Sequence, residues 1–126
     1  MTKPLRILLI EDSERDAALL TLYLRRGGYE PTIARVETAS AMRTQLESAE
    51  WDVVISDFNL PVFSAHAALE TLRESGRRIP FIVVSGEMSE PIVSALTKAG
   101  ADAYLAKYEL KKIVPAIERA IEVGGR

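Results

Sequence analysis

The sequence predicts an α/β protein built on an open parallel sheet with helices on both faces. Five short apolar runs alternate with five helix-like stretches, strand before helix each time. The first, third and fourth runs are rich in Ile, Leu and Val with little alternation. Strands buried on both faces read this way.

The first strand is expected over Leu5 to Ile10. Ser13 can cap a helix reaching about Arg26, with Ala17, Leu20 and Leu24 on one stripe and Gly27-Gly28 ending it. The second strand, Thr32 to Val36, follows Pro31 and carries Arg35, which places it at an edge. Thr38 can cap the next helix, with Ala39, Met42 and Leu46 inward. Val53 to Ser56 is the third strand. Ser64 can cap the third helix, with Ala68 and Leu72 inward and Gly76 beyond its end. Phe81 to Val84 is the fourth strand, and Ser89 with Pro91 opens a helix carrying Val93 and Leu96 to Gly100. Ala103 to Ala106 is the fifth. The last helix carries Ile113, Ile117, Ala120 and Ile121 and stops at Gly124-Gly125, with Pro115 near its first turn, since a deeper proline costs about 3 kcal/mol.

At 126 residues, the chain has room for one compact domain, expected to span 1–126. Its 16 basic and 18 acidic residues leave a net charge of -2, which argues against a broad nucleic-acid footprint. The absence of cysteine excludes a disulfide scaffold, a zinc ribbon, an iron–sulfur cluster and a thiol nucleophile. A lone histidine, His66, excludes a site needing two imidazoles. No apolar run approaches membrane-spanning length, and the first strand begins too early for a signal peptide, so the expected location is the cytoplasm.

In such a sheet, ligands bind outside the carboxyl ends of the strands. Glu11-Asp12 follow strand one, Asp57 strand three, Ser85-Gly86 strand four and Lys107 strand five. Three carboxylates at one rim repel one another, an arrangement that persists when a cation is present. Hard oxygen ligands suit Mg²⁺. Lys107 adds positive charge, Ser85 a hydroxyl and Gly86 space. Together they describe a socket for a tetrahedral anion attached to Asp57 as nucleophile.

These residues resemble the receiver domain of two-component response regulators. The motifs are Glu11-Asp12 after Ile7-Leu8-Leu9-Ile10, Asp57 followed by Leu60-Pro61, Ser85-Gly86, and Ala99-Gly100-Ala101-Asp102-Ala103-Tyr104 with Lys107. The resemblance implies a flavodoxin-like (βα)5 three-layer sandwich with a central five-stranded parallel sheet in the order 2-1-3-4-5. It implies that Asp57 accepts a phosphoryl group from the phosphohistidine of a histidine kinase or phosphotransfer domain, or from a small phosphodonor. By the same resemblance, Glu11, Asp12, Asp57 and the carbonyl of Asn59 hold Mg²⁺. Ser85 and Lys107 bind the phosphoryl oxygens, Tyr104 acts as an aromatic switch, and Asn59 and Glu87 tune the lifetime of the aspartyl phosphate. The implied output is a domain or protein docked on the face of helix four, strand five and helix five. No direct nucleic-acid or membrane binding is expected, and the chain is expected to be a monomer or weak homodimer.

Three departures stand out. Tyr108 follows Lys107 where the family usually has a cis proline, so a trans bond is expected. Ser64-Ala65 replaces a common Asp-Gly pair, and Ser85 replaces the usual threonine. The strings Val84-Ser85-Gly86-Glu87 and Lys107-Tyr108-Glu109-Leu110 look like receivers of multidomain sensor kinases.

Plainer readings exist for each residue. Glu11-Asp12 and Asp57 are also the acids that cap helices. Tyr104 is a switch or plain core, and Trp51 reads as packing. His66 reads as a solvated side chain, and Arg73, Arg77 and Arg78 as a solvated helix end and turn. Two competing functions share the fold: a constitutive interaction module, and an enzyme. A flavin site would want a Ser/Thr/Gly-rich loop where Glu11-Asp12 stand. A phosphatase with an aspartyl nucleophile would want an acid at Asn59, and a Walker ATPase its Gly-Lys-Ser/Thr loop. A kinase or cyclase domain outside these residues is a further alternative.

Overall fold

The computed structural model describes residues 2–58, 63–86 and 89–124, excepting the side chains of 123 and 124. Among them, β1 (Lys3–Ile10), α1 (Glu14–Arg26), β2 (Tyr29–Val36), α2 (Ala39–Ser48) and β3 (Val53–Asp57) come first. They are followed by α3 (Ala65–Glu74), β4 (Phe81–Ser85), α4 (Glu90–Ala99), β5 (Ala103–Ala106), a 3-10 segment (Lys107–Lys112) and α5 (Ile113–Gly124). The strands form one five-stranded sheet in the order β2-β1-β3-β4-β5, every neighbouring pair parallel.

Alternation along each strand splits the core in two. Leu8, Ile10, Val54, Phe81 and Val83 face α2, α3 and α4, meeting Met42, Leu46, Leu69, Leu72 and Leu96. On the other face, Ile7, Leu9, Ile55, Ile82 and Val84 meet Leu20 and Leu24 of α1 and Ile113 and Ile117 of α5. β3 and β4 are buried at every position, as their unbroken apolar runs require.

The side chains of Ser13, Thr38 and Ser64 each accept an N–H from the first turn of α1, α2 and α3. Ser89 stands at the N-cap of α4 without such a bond, and the early Pro91 shapes that end. Pro115 is the third residue of α5, where its missing N–H breaks no helical bond.

Two expectations need correction, the start of β2 and the arginines after α3. β2 begins at Tyr29 and contains Pro31, which an edge strand tolerates because one side of its backbone is unpaired. Of the apolar residues of α5, Ile113, Ile117 and Ala120 are buried and Ile121 is 37% exposed. The arginines after α3 are not merely solvated. Arg77 donates to the carbonyls of Leu46 and Ala49 at 2.5 and 2.9 Å and pairs with Glu50 at 2.6 Å, closing the C-terminus of α2. Arg73 does the same for α4 through the carbonyl of Ala99. Trp51 is packing, as expected: it is buried, its indole N–H reaches the Gln45 carbonyl at 2.9 Å, and the Arg6 guanidinium lies 5.2 Å from its ring centroid.

α1 and α5 come close where Gly27 faces Val114. A Cβ at Gly27 would sit 2.5 Å from Val114 Cγ2. Its φ of -84° suits any residue, so the constraint is space and not backbone conformation. Gly27→Ala should therefore cost about 1–3 kcal/mol through overpacking. Adding Val114→Ala should recover part of that loss, because it removes the colliding methyls. Urea denaturation of the two single variants and the double variant checks this; strictly additive losses would place the cost elsewhere.

Candidate functional site

Register brings the predicted residues to one rim. Ile10 pairs with Ser56, Asp57 with Val84, and Ser85 with Ala106. Glu11, Asp57, Ser85 and Lys107 therefore stand at the C-terminal edge of four adjacent strands, as the topology requires for a ligand crevice. The 3-10 segment begins at Lys107, and burial of Leu110 and Ile113 pins it against the sheet. At the other end of the rim, Glu11 is fixed by its own backbone. Its N–H donates to the Val36 carbonyl at 3.2 Å and its carbonyl accepts from Arg35 Nη1 at 3.0 Å.

Glu11 and Asp57 are buried, at 5% and 6% exposure, while Asp12 is exposed. One oxygen from each of the three lies within 4.8 Å of the others. Octahedral Mg²⁺ with bonds near 2.1 Å holds adjacent ligands about 3 Å apart and opposite ones about 4 Å apart. The donor set thus fits a small, hard divalent cation after minor side-chain adjustment. A softer metal would want imidazole or thiolate, which this rim lacks among the described residues.

Lys107 is the counter-charge. Its Nζ lies 2.9 Å from Asp57 Oδ2, 2.7 Å from Asp16 Oδ2 and 3.7 Å from Glu11 Oε1. Burial works against its charge, but hydrogen bonds to Asp16 and Asp57 outweigh burial and hold it above the ordinary lysine range. Glu11 moves the other way for an acid. Burial first, and then the Asp57 carboxylate, push it up to about 7 against the pull of Lys107. Below the lysine lies an apolar cleft whose walls include Leu9, Leu19, Leu20, Ile55, Val84 and Leu110. Such walls keep water away from one side of the ion cluster and strengthen its charges.

The structure brings Glu11, Asp12, Asp57 and Lys107 together, with Ser85 fully buried at the end of β4. Asn59 and Glu87, and the Leu60-Pro61 pair, lie outside the described residues. Tyr104 is 42% exposed, so it is not plain core. His66 is exposed at the start of α3, its ring edge-on to Phe58 at 6.2 Å between centroids. The bond between Lys107 and Tyr108 is trans, as expected. Sequence reading missed two contributors. Asp16 is the shortest ion contact of Lys107, and Arg35 secures the Glu11 carbonyl. A helical turn past Ser13, Asp16 was on the correct rim, but nothing local distinguished it from a first-turn acid.

A parallel sheet of this order, with a carboxylate trio at its carboxyl edge and a lysine paired to two of the three, defines a receiver-like signalling domain. The family model described as the response regulator receiver domain matches residues 7–118. The chain belongs to that family, whose members act as phosphorylatable switches in two-component signalling. It is 29% identical over 107 residues to the two-component response regulator ORR41 of Oryza sativa subsp. japonica, covering 83% of this chain and 84% of that one. It is 30% identical over 120 residues to the sensory transduction protein RegX3 of Mycobacterium tuberculosis, covering 94% of this chain and 52% of RegX3. The chain thus spans about half the length of that relative. Among solved structures it resembles the receiver domain of the sensor histidine kinase PA1611 from Pseudomonas aeruginosa PAO1, described with a magnesium ion in its active-site cleft. The TM-score is 0.71 at 28% identity, covering 94% of this chain and 98% of that one. Among the described residues, no helix is long and apolar enough to cross a membrane.

The raised Glu11 carboxyl makes a pH prediction for the metal-free protein. Its proton is held more tightly folded, at about 7, than at the ordinary 4.5. The stabilisation from protonation is therefore complete below about 4.5 and lost as pH rises through 7. Glu11→Gln keeps the neutral form at every pH. In chelator it should match wild type near pH 4.5 and exceed it at pH 8 by about 1–3 kcal/mol. Denaturant titrations at both pH values measure this, and a stability gap independent of pH would rule out Glu11 ionisation as its source.

Proposed function

We propose that Asp57 is the phosphoacceptor of a Mg²⁺-dependent receiver switch. The observation that carries this reading is the buried Asp57 carboxylate, with Lys107 at 2.9 Å and two further acids within 4.8 Å. A carboxylate oxygen of Asp57 attacks phosphorus, forming a P–O bond as the P–N bond to a phosphohistidine breaks and its electron pair returns to the imidazole. Glu11, Asp12, Asp57 and the Asn59 carbonyl would hold the ion, which supplies charge neutralisation at the phosphoryl oxygens. Lys107 binds one phosphoryl oxygen and the Ser85 hydroxyl another. Asn59 and Glu87, two positions after Asp57 and Ser85 in the sequence, tune hydrolysis on this reading. Donors are a histidine kinase or phosphotransfer domain.

Output runs through the face of α4, β5 and α5. Tyr104 supports this reading, because its ring is half-exposed on β5, two residues before Ala106, the partner of Ser85. A shift of Ser85 toward a new phosphoryl group would vacate space for the ring to turn inward. The outcome is a domain or protein docked on that face, with the chain a monomer or weak homodimer and acting in the cytoplasm. One receiver domain spans residues 1–126 on this reading, and it performs no catalysis beyond its own phosphoryl transfer and release.

Acetyl phosphate with Mg²⁺ should add one acid-labile phosphoryl group to the intact protein, and Asp57→Asn should remove that labelling, an amide being a far poorer nucleophile. Undiminished labelling of Asp57→Asn would move the acceptor elsewhere. Mg²⁺ titration followed by amide shifts should show Asp12→Ala binding at least about tenfold more weakly, since a carboxylate contact is lost. Equal affinity would reduce the acidic pair to a helix cap. Phosphorylation should also shift amides across α4, β5 and α5; changes confined to the loops around Asp57 would mean that no switch is thrown.

A further inference from the structure

We propose that Asp16 is a positioning residue: it shares the Lys107 ammonium with Asp57, so that the Asp57 carboxylate is less fully neutralised and stays open to the cation. The inference rests on the proposed metal dependence of the site.

Asp16 is the third residue of α1, and its N–H donates to the Ser13 hydroxyl at 3.2 Å. An acid at this helical position ordinarily reaches back to the N–H of the capping residue. In this chain that N–H is taken by Glu11 Oε2 at 3.3 Å. The Asp16 carboxylate turns instead to Lys107 at 2.7 Å, a contact between residues 91 positions apart in the chain. Helix capping therefore does not account for it.

Lys107 consequently divides its charge between Asp16 at 2.7 Å and Asp57 at 2.9 Å. A cation at the trio and the ammonium compete for the same Asp57 carboxylate. Sharing the ammonium with Asp16 leaves more of the Asp57 charge to the cation. With Asp16 made neutral, the lysine presses wholly on Asp57, with Glu11 only 3.7 Å away. The half-exposure of Asp16 limits the size of the effect, with its side chain 37% accessible and that of Lys107 34%.

A double-mutant cycle tests this. Mg²⁺ affinity is measured by amide shifts in wild type, Asp16→Asn, Lys107→Met and the double variant. Asp16→Asn alone should weaken binding about threefold to fivefold, the upper range of a half-exposed ion pair. In the Lys107→Met background the same substitution should change affinity less than about twofold, because no ammonium is left to redirect. Glu14→Gln removes an equal charge from the same helical turn without touching Lys107 and should also stay within about twofold. Equal weakening in both lysine backgrounds would reduce Asp16 to a distant field charge and overturn the tether. A second measurement needs no metal and no lysine variant. The Lys107 ammonium nitrogen should change chemical shift between metal-free wild type and Asp16→Asn, because one of its two carboxylate partners is removed and it closes on the other; an unchanged shift overturns the tether as well. Failure of wild type to bind Mg²⁺ would instead reject the cation reading of the trio, and the ammonium signal would then decide whether the contact exists.

Discussion

One ammonium among four carboxylates sets the terms for this rim. Glu11 and Asp57 are buried, Asp12 and Asp16 lie nearby, and Lys107 reaches three of the four within 4 Å. Isolated buried carboxylates are costly, and a single lysine cannot neutralise all of them. The excess negative charge suits the rim to a cation, and the lysine already occupies part of Asp57. Hydrophobic burial elsewhere must carry the cost. It does so through two continuous apolar layers, one on each face of the sheet.

The two ends of the sheet are built differently. At the amino end of the strands, side chains close helix termini and strand starts. Arg77 secures α2, Arg73 secures α4, and Asp102 accepts the Phe81 N–H at 2.8 Å. Asp52 likewise accepts the Arg6 N–H at 2.7 Å. These are contacts that satisfy backbone groups and hold elements in register. At the carboxyl end the side chains are charged, mutually repelling and only partly compensated. A fold that is fastened at one end tolerates adjustable groups at the other, which is the division that a ligand-responsive rim needs.

Legibility in the sequence followed this division. Buried strands announced themselves, because residues such as Val53 to Ile55 and Phe81 to Val84 are apolar on both faces. Caps at Ser13, Thr38 and Ser64 were legible, since each makes a bond within three residues. The charged rim was legible because parallel topology sends every post-strand residue to one edge. What escaped were contacts between distant residues of unremarkable type. Arg77 finds carbonyls 28 and 31 positions away, and Asp16 finds a lysine 91 positions away. Ile121 had the right spacing for the core and still faces outward, because a helix packed on one edge of the sheet buries a narrower stripe than its apolar residues span. The start of β2 was hidden by Pro31, which suggests an end of pairing and at an edge strand is none.

Tyr108 shows how a departure from a family pattern can leave the rim intact. Lys107 is located from both sides without help from its neighbour. On one side, the pairing of Ser85 with Ala106 fixes where β5 ends. On the other, Leu110 and Ile113 anchor the 3-10 segment in the core. Between these anchors the Tyr108 side chain is 80% exposed. Its identity therefore acts on the surface beside the rim and not on the reach of the ammonium. An exposed tyrosine presents a rigid apolar ring with a polar tip, which favours contact with a partner more than a proline does. The substitution changes the surface beside the site, while the position of the ammonium within it is set by the end of β5, the anchored 3-10 segment and the contact with Asp16.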